Sequence, residues 1–261
     1  MKYGFIGCGN MGGAIARALS HATTDILICD HNEKAALLAA ELGCGFADDV
    51  TVAEQCDRIF LAVKPQVMAA ALKPIQDILA RRKPLIVTMA ASIEIRQIED
   101  MIGTSLPVIR IMPNTPVAVG KGMIQYCHNA LVAGETIADF LADMRNAGSL
   151  DKLDEKLIDA ATALSGSGPA YMYLFLEAMA DGAVACGLPR QKAIAYAAAT
   201  MEGAAKMVLS EGQHPGALKD AVCSPGGSTI EGIHALEAKG FRGAVMDSII
   251  TGYSRNKELG K

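Results

Sequence analysis

Lys2-Tyr3-Gly4-Phe5-Ile6-Gly7-Cys8-Gly9-Asn10-Met11-Gly12-Gly13 decides how the first half of this 261-residue chain folds. Its apolar start reads as a short buried strand, and Ala14-Ile15-Ala16-Arg17-Ala18-Leu19 beyond it favours helix. Between them lies Gly-x-Gly-x-x-Gly, with a strand before and a helix after, the context in which that spacing binds a dinucleotide. Gly7 permits the tight turn, Gly9 lets a pyrophosphate approach the backbone, and Gly12 lets helix and strand pack closely. Asn10 and Met11 complete the loop.

Outward from the motif, Asp25-Ile26-Leu27-Ile28-Cys29 reads as a second strand ending at Asp30. About 20 residues past such glycines an acidic side chain accepts hydrogen bonds from the adenosine ribose hydroxyls. It also repels a 2′-phosphate, and His31 and Asn32 supply no arginine in compensation, so NADH is favoured over NADPH. Lys34 or a protonated His31 keeps the other cofactor open. The alternative role for Asp30 is N-cap of a helix over 33–42.

The alternation continues. A short helix is predicted over 50–56, and Arg58-Ile59-Phe60-Leu61-Ala62-Val63 is the next buried strand, ending in Lys64-Pro65-Gln66. A helix over 67–80 follows, with Arg81-Arg82-Lys83 as its solvated end. Leu85-Ile86-Val87-Thr88 is a strand that runs into Met89-Ala90-Ala91-Ser92 and a short helix over 94–101. Pro107-Val108-Ile109-Arg110-Ile111 is another, ending in Met112-Pro113-Asn114-Thr115-Pro116. Strands alternating with helices of this length make an α/β fold with a parallel, doubly wound sheet, whose ligands sit at the carboxyl ends of strands. Residues 122–127 and 148–153, with a helix over 131–145 between them, are candidates to extend it.

Past residue 153 no strand pattern recurs. Helices are predicted over 154–164, 170–186, 191–210, 215–222, 229–239 and 241–256, with Ser165-Gly166-Ser167-Gly168-Pro169 breaking the chain between the first two. The domain boundary falls between Leu150 and Gly168, and we take 1–153 as a dinucleotide-binding domain and 154–261 as an all-helical one. The helices over 170–186 and 191–210 are apolar around much of their circumference, so they must be buried on nearly all sides. A subunit interface is the economical expectation, and a compact single-chain bundle is the alternative.

Composition agrees with a folded, non-membrane protein. Half of the residues are hydrophobic and a fifth are charged, and the net charge of −4 offers no basic surface to nucleic acid or anionic lipid. The seven cysteines form no Cys-x-x-Cys pair and no zinc-type spacing with histidine, so reduced thiols, a cytoplasmic setting and no metal are expected. Met1-Lys2 runs straight into the first strand, so no signal peptide is expected, and the long apolar runs carry too many charges to span a bilayer.

One further stretch stands out. Ser224-Pro225-Gly226-Gly227-Ser228-Thr229-Ile230 reads as a helix stop, a tight turn and a helix start in seven residues. With Ser228 or Thr229 as N-cap, it would present a ring of free backbone N–H groups flanked by the hydroxyls of Ser224, Ser228 and Thr229, a site for a small carboxylate. An ordinary helix–helix connection is the plain alternative.

Taken together the chain resembles the pyrroline-5-carboxylate reductases. The resemblance rests on Gly7-x-Gly9-x-x-Gly12, Val63-Lys64-Pro65-Gln66, Met112-Pro113-Asn114-Thr115-Pro116, Ser165-Gly166-Ser167-Gly168-Pro169-Ala170-Tyr171, and Asp220-Ala221-Val222-Cys223-Ser224-Pro225-Gly226-Gly227-Ser228-Thr229, in that order. It implies an N-terminal Rossmann domain and a helical domain that interlocks in dimers, with dimers often assembled into rings. It also implies reduction of 1-pyrroline-5-carboxylate to proline with NADH or NADPH. Val63, Lys64 and Pro65, Ala90 and Ala91, and Met112, Pro113 and Asn114 would then line the nicotinamide half of the cofactor. Ser224, Gly226, Gly227, Ser228 and Thr229 would hold the substrate, and Thr229 would hydrogen-bond the ring nitrogen. Two positions depart from the family pattern: Ser92, where Gly is common, and Asp30, where many members carry Asn, Ser or Arg.

That chemistry needs no strong acid or base. His21, His31, His128, His214 and His234 lie outside these loops. A cyclic imine can arrive already protonated, so positioning, worth ~7–11 kcal/mol in well-oriented systems, can carry catalysis. A 3-hydroxyacid dehydrogenase shares the domain plan but places a catalytic lysine on the long helix after the break, where this chain has no lysine until Lys192. A non-catalytic dinucleotide sensor would need Gly7–Gly12 but not the 224–229 loop. A six-membered imine differs from the five-membered one by a methylene, worth only ~1–3 kcal/mol of discrimination.

Overall fold

The computed structural model describes residues 1–259; the last two residues of the expected second domain, 260–261, lie outside them. By internal contacts the chain divides into two units, Met1–Ser167 with the stretch from Gly252 onward, and Gly168–Thr251.

The first unit is built on β1 (Tyr3–Ile6), β2 (Ile26–Cys29), β3 (Gly45–Phe46), β4 (Arg58–Leu61), β5 (Leu85–Thr88), β6 (Val108–Met112), β7 (Gly122–His128) and β8 (Gly148–Lys152). They form one sheet in the order β3-β2-β1-β4-β5-β6-β7-β8. Crossovers from β1 to β2 and back across to β4 leave a topological switch point between β1 and β4, where such sheets bind their ligands. The sheet is not wholly parallel as expected: β7 runs antiparallel to β6, and β8 then runs parallel to β7.

Strand residues alternate between two apolar layers, because successive side chains point to opposite faces. Phe5, Phe60, Val87 and Ile109 face one cluster. That layer holds Ile15 and Leu19 of α1 (Asn10–Ser20), Ala35 and Ala39 of α2 (Glu33–Leu42), and Phe140 of α7 (Gly134–Asp143). Phe5 and Phe60 stack at 4.5 Å. Ile6, Ile59, Leu61 and Ile86 face the other layer. There they meet α3 (Asp49–Gln55), α4 (Met68–Leu72), α5 (Gln76–Arg82) and α6 (Ile95–Ile102).

Several local expectations change. The helix predicted over 67–80 is broken into α4 and α5 by a 3₁₀ turn at Lys73–Ile75, because Pro74 has no N–H to continue the ladder. The end of α5 is not simply solvated: Arg82 donates to the carbonyls of Ala53 and Cys56 and fastens it to α3. The helix predicted over 154–164 is a 3₁₀ turn, then α8 (Ile158–Ala161), then a π-turn over Thr162–Gly166. The glycines at 166 and 168 do not break the chain there, since Ser167 keeps a helical conformation and α9 (Gly168–Ala185) follows at once.

The division after Ser167 lies within the expected window but beyond the 153/154 boundary. Arg110, almost wholly buried in β6, holds Glu155 at 3.2 Å and Asp159 at 3.4 Å, while Ile158 enters the second apolar layer. Those ties bind residues 154–167 to the sheet.

The second unit consists of α9, α10 (Arg190–Glu211), α11 (Pro215–Ala221), α12 (Ser228–Ala238) and the first part of α13 (Phe241–Leu259). Its buried apolar residues are Ala180, Ala193 and Ala197, while Tyr173, Leu174, Ile194, Tyr196, Leu209 and Met246 stand more than half exposed. A single copy leaves this apolar surface uncovered, the condition that marks an interaction surface rather than a free one.

Candidate active site

In the first unit the three glycines of the opening motif have three distinct geometries. Gly7 sits at φ +89°, and a Cβ there would lie 2.7 Å from Val63 Cγ1. Gly9, the N-cap of α1, has nothing within 4 Å of its Cβ position, so its face is open to a ligand. A Cβ on Gly12 would lie 2.8 Å from the Gly7 carbonyl oxygen and 2.9 Å from Ala62 Cβ, which pins α1 against the end of β4. The first N–H groups of α1, from Asn10 to Gly12, have no intrahelical acceptor. An open glycine beside unpaired N–H groups at a helix N-terminus fits a pyrophosphate.

A cleft of about 520 Å³ opens at the carboxyl ends of β1, β2 and β4, lined by Gly7, Asp30, Val63, His31, Phe46, Asp48 and Asp49 among others. Asp30 is not a helix cap: Asn32 caps α2 by accepting the N–H of Lys34. Instead Asp30 Oδ2 accepts from the Cys8 N–H at 2.5 Å and Oδ1 from the Asn32 N–H at 2.8 Å. A carboxylate has about four lone-pair positions, so two remain for ribose hydroxyls. Asp48 caps α3 through the Thr51 N–H, and hydrogen bonds from Thr51 hold its carboxyl below the usual range. The sequence reading missed Phe46, Asp48 and Asp49. Their signal was the Asp48-Asp49 pair ahead of α3, hidden because β3 before it is only two residues long.

The loops assigned to the nicotinamide differ in what they expose. Lys64 is exposed and opens a 3₁₀ turn at Pro65–Val67. Ala90 is buried, Ala91 is exposed, and Ser92 takes φ +61°. Met112, Pro113 and Asn114 are all buried. The Asn114 amide donates to the Ser165 carbonyl at 2.9 Å and accepts the Met123 N–H at 2.9 Å, so its side chain ties β6, β7 and the π-turn together.

In the second unit, Ser224–Gly227 forms a turn in which the Gly227 N–H donates to the Ser224 carbonyl at 3.0 Å. Pro225 precedes Gly226 at φ +67°, the residue pattern of a type II turn. Neither Ser228 nor Thr229 is the N-cap. Gly227 is, with an extended backbone and no side-chain cap bond, and α12 begins at Ser228. The ring of free N–H groups is therefore smaller than expected, because Gly227 donates within the turn. The leading N–H groups of α12, at Ser228, Thr229 and Ile230, still have no intrahelical acceptor. Ser224 Oγ lies 2.4 Å from where a Gly227 Cβ would be, so the absent side chain makes room for that hydroxyl.

Among the described residues no group of three or more His, Cys, Asp and Glu is placed to hold a metal ion, and no helix is long and apolar enough to cross a membrane. The buried thiols and half-buried Cys29 are poor nucleophiles: desolvation pushes Cys8, Cys29 and Cys56 up to about 11 and Cys127 to about 12.

Comparison with known proteins accounts for both units. Residues 155–259 match the family model for pyrroline-5-carboxylate reductase dimerisation, and residues 2–91 match that for coenzyme F420-dependent NADP oxidoreductases. The pyrroline-5-carboxylate reductase of Escherichia coli is 43% identical over 100% of this chain and 98% of its own. The Arabidopsis thaliana enzyme is 40% identical over 99% of this chain and 95% of its own. The Plasmodium falciparum reductase, solved with NADP bound, superposes with a TM-score of 0.91 at 30% identity, covering 100% of this chain and 98% of that one. With relatives this similar along their whole length, the chain belongs to the pyrroline-5-carboxylate reductase family.

Proposed function

We propose that the chain reduces the C=N bond of 1-pyrroline-5-carboxylate to give proline, with NADH preferred to NADPH. The reductase activity itself, with a nicotinamide cofactor and self-association through the helical region, follows from membership of the family.

The observation that carries it is the turn at the head of α12. The N–H groups of Ser228 and Thr229, with the hydroxyls of Ser224 and Ser228, would hold the substrate carboxylate, and the partial positive charge of the helix N-terminus favours it. Gly226 supplies the positive φ that the turn requires, and Gly227 the space. The Thr229 hydroxyl would orient the imine nitrogen. When bound, a dihydronicotinamide would supply the hydride for the imine carbon, and with the nitrogen protonated the product would be the secondary amine of proline.

On the cofactor side, Gly7, Gly9, Asn10, Met11 and Gly12 would cradle the pyrophosphate. Val63, Lys64, Pro65, Ala90, Ala91, Met112, Pro113 and Asn114 would shape the nicotinamide end, Asn114 by holding its loop. Asp30, Asp48 and Asp49 favour NADH, because a 2′-phosphate in that cleft would face three carboxylates against His31. Dinucleotide binding is assigned to the first unit, and substrate binding and self-association to the helical one. Dimers would assemble further into a ring.

The test is oxidation of NADH and of NADPH, in parallel, by purified protein with pyrroline-5-carboxylate. Faster turnover and a lower KM with NADH are expected. A strong preference for NADPH would overturn the role given to the three carboxylates while leaving the reductase.

A further inference from the structure

Two non-glycine residues among those described have positive φ, Lys83 at 51° and Ser92 at 61°. Lys83 ends α5, where a left-handed residue is ordinary. Ser92 ends no helix; it lies in the turn after β5, in a conformation unfavourable to an L-residue. Its Oγ donates to the backbone carbonyl of Asn256 at 3.0 Å. Asn256 sits in the last turn of α13. Both residues belong to the first unit. Among the described residues, the Met89 N–H bond to Leu61 at 3.3 Å and the Ala90 N–H bond to Thr88 Oγ1 at 3.4 Å are longer. The Asn256 side chain does not share in the tie, since its Nδ2 is buried without an acceptor.

We propose that Ser92 is a positioning residue for hydride transfer. By fastening to the Asn256 carbonyl, its hydroxyl holds the left-handed turn that presents Ala90 and Ala91 to the nicotinamide. The proposal rests on the assignment of those two alanines to the nicotinamide end. The hydroxyl offsets the strain of the turn; a side chain without it leaves the strain and removes the anchor. Glycine also lacks the anchor but adopts the turn without strain. The cofactor's adenosine end lies at another part of the sheet edge and does not depend on this turn.

The experiment measures dissociation constants for NADH and for ADP-ribose, which lacks the nicotinamide, on the full-length protein. In Ser92→Ala, NADH binding weakens about fivefold to tenfold while ADP-ribose binding is unchanged. Ser92→Gly falls between Ser92→Ala and the parent, and Asn256→Leu, which keeps the backbone acceptor, binds NADH as the parent does. Equal loss of both ligands in Ser92→Ala would show a merely structural role and overturn the proposal, as would undiminished NADH binding. Ala91→Val tests the assignment beneath it. Unchanged NADH affinity in Ala91→Val removes that alanine from the nicotinamide and overturns the proposal with it. A loss in Ala91→Val with none in Ser92→Ala overturns the proposal alone.

Discussion

Asp30 Oδ2 accepts the backbone N–H of Cys8, so the end of β2 is fastened to the glycine loop that follows β1. The carboxylate proposed for the ribose therefore also shapes the glycine loop proposed for the pyrophosphate. Asp30→Ala removes a charge-assisted bond worth ~1.5–3 kcal/mol and the repulsion toward a 2′-phosphate together. The expected outcome is a rise of at least about tenfold in KM for NADH, with a smaller change for NADPH, so that the preference narrows or reverses. Steady-state kinetics with both cofactors reads it.

Thr229 lies in the first turn of α12 and is not its cap, so its side chain is dispensable to the helix. Thr229→Val keeps the shape and loses the hydroxyl. Turnover should fall by about 10-fold to 100-fold, with melting temperature and cofactor affinity held. An unchanged kcat would remove Thr229 from the chemistry.

Gly227 has an ordinary φ of −79°, so Ala there is not strained. The added Cβ meets Ser224 Oγ, and the hydroxyl must rotate away. Gly227→Ala should raise KM for the imine about tenfold, the effect of losing one hydrogen bond to a charged group, while leaving the fold and NADH binding intact. In a Ser224→Ala background the same change should cost little more, and that non-additivity is the measurement.

Three buried thiols and half-buried Cys29 set a pH dependence of stability. Cys8, Cys29 and Cys56 sit at about 11, and Cys127 at about 12, against an ordinary 9.0. Between pH 9 and 11 the unfolded chain loses thiol protons that the folded chain keeps, so unfolding is favoured as pH rises. Stability should be unaffected by these groups below about pH 9 and decline above it. Denaturant titrations from pH 8 to 11 would show the midpoint falling, and Cys8, Cys56 and Cys127 should resist alkylation at pH 8 until the protein unfolds.

How much of this was legible in the sequence depended on length and continuity. β1, β2, β4, β5 and β6 were readable because strands buried on both faces form continuous apolar runs. β3 was not, because two residues, Gly45-Phe46, carry no periodicity. Nor does any local pattern show that Arg110 inside a buried strand would claim Glu155 and Asp159, and so place residues 154–167 with the sheet rather than with the helices. Asn114 was found by its loop, but the spending of its amide on Ser165 and Met123 is a long-range contact that no spacing announces. The Gly-rich loops were easiest to find, since glycine at positive φ or beneath a close neighbour is a requirement written at one position. Ser92 drew notice only as a departure from a pattern; its dihedral angle explains why the position matters.

The sparse core of the helical unit, three alanines beneath exposed Tyr173, Leu174, Ile194 and Tyr196, makes folding of that unit a matter of mass action. When the apolar faces of α9 and α10 are covered only by another copy, folding and association share one equilibrium, and dilution acts as a denaturant. The midpoint of thermal unfolding should then climb with protein concentration, and specific activity should sag in very dilute assays unless cofactor or carrier protein is present.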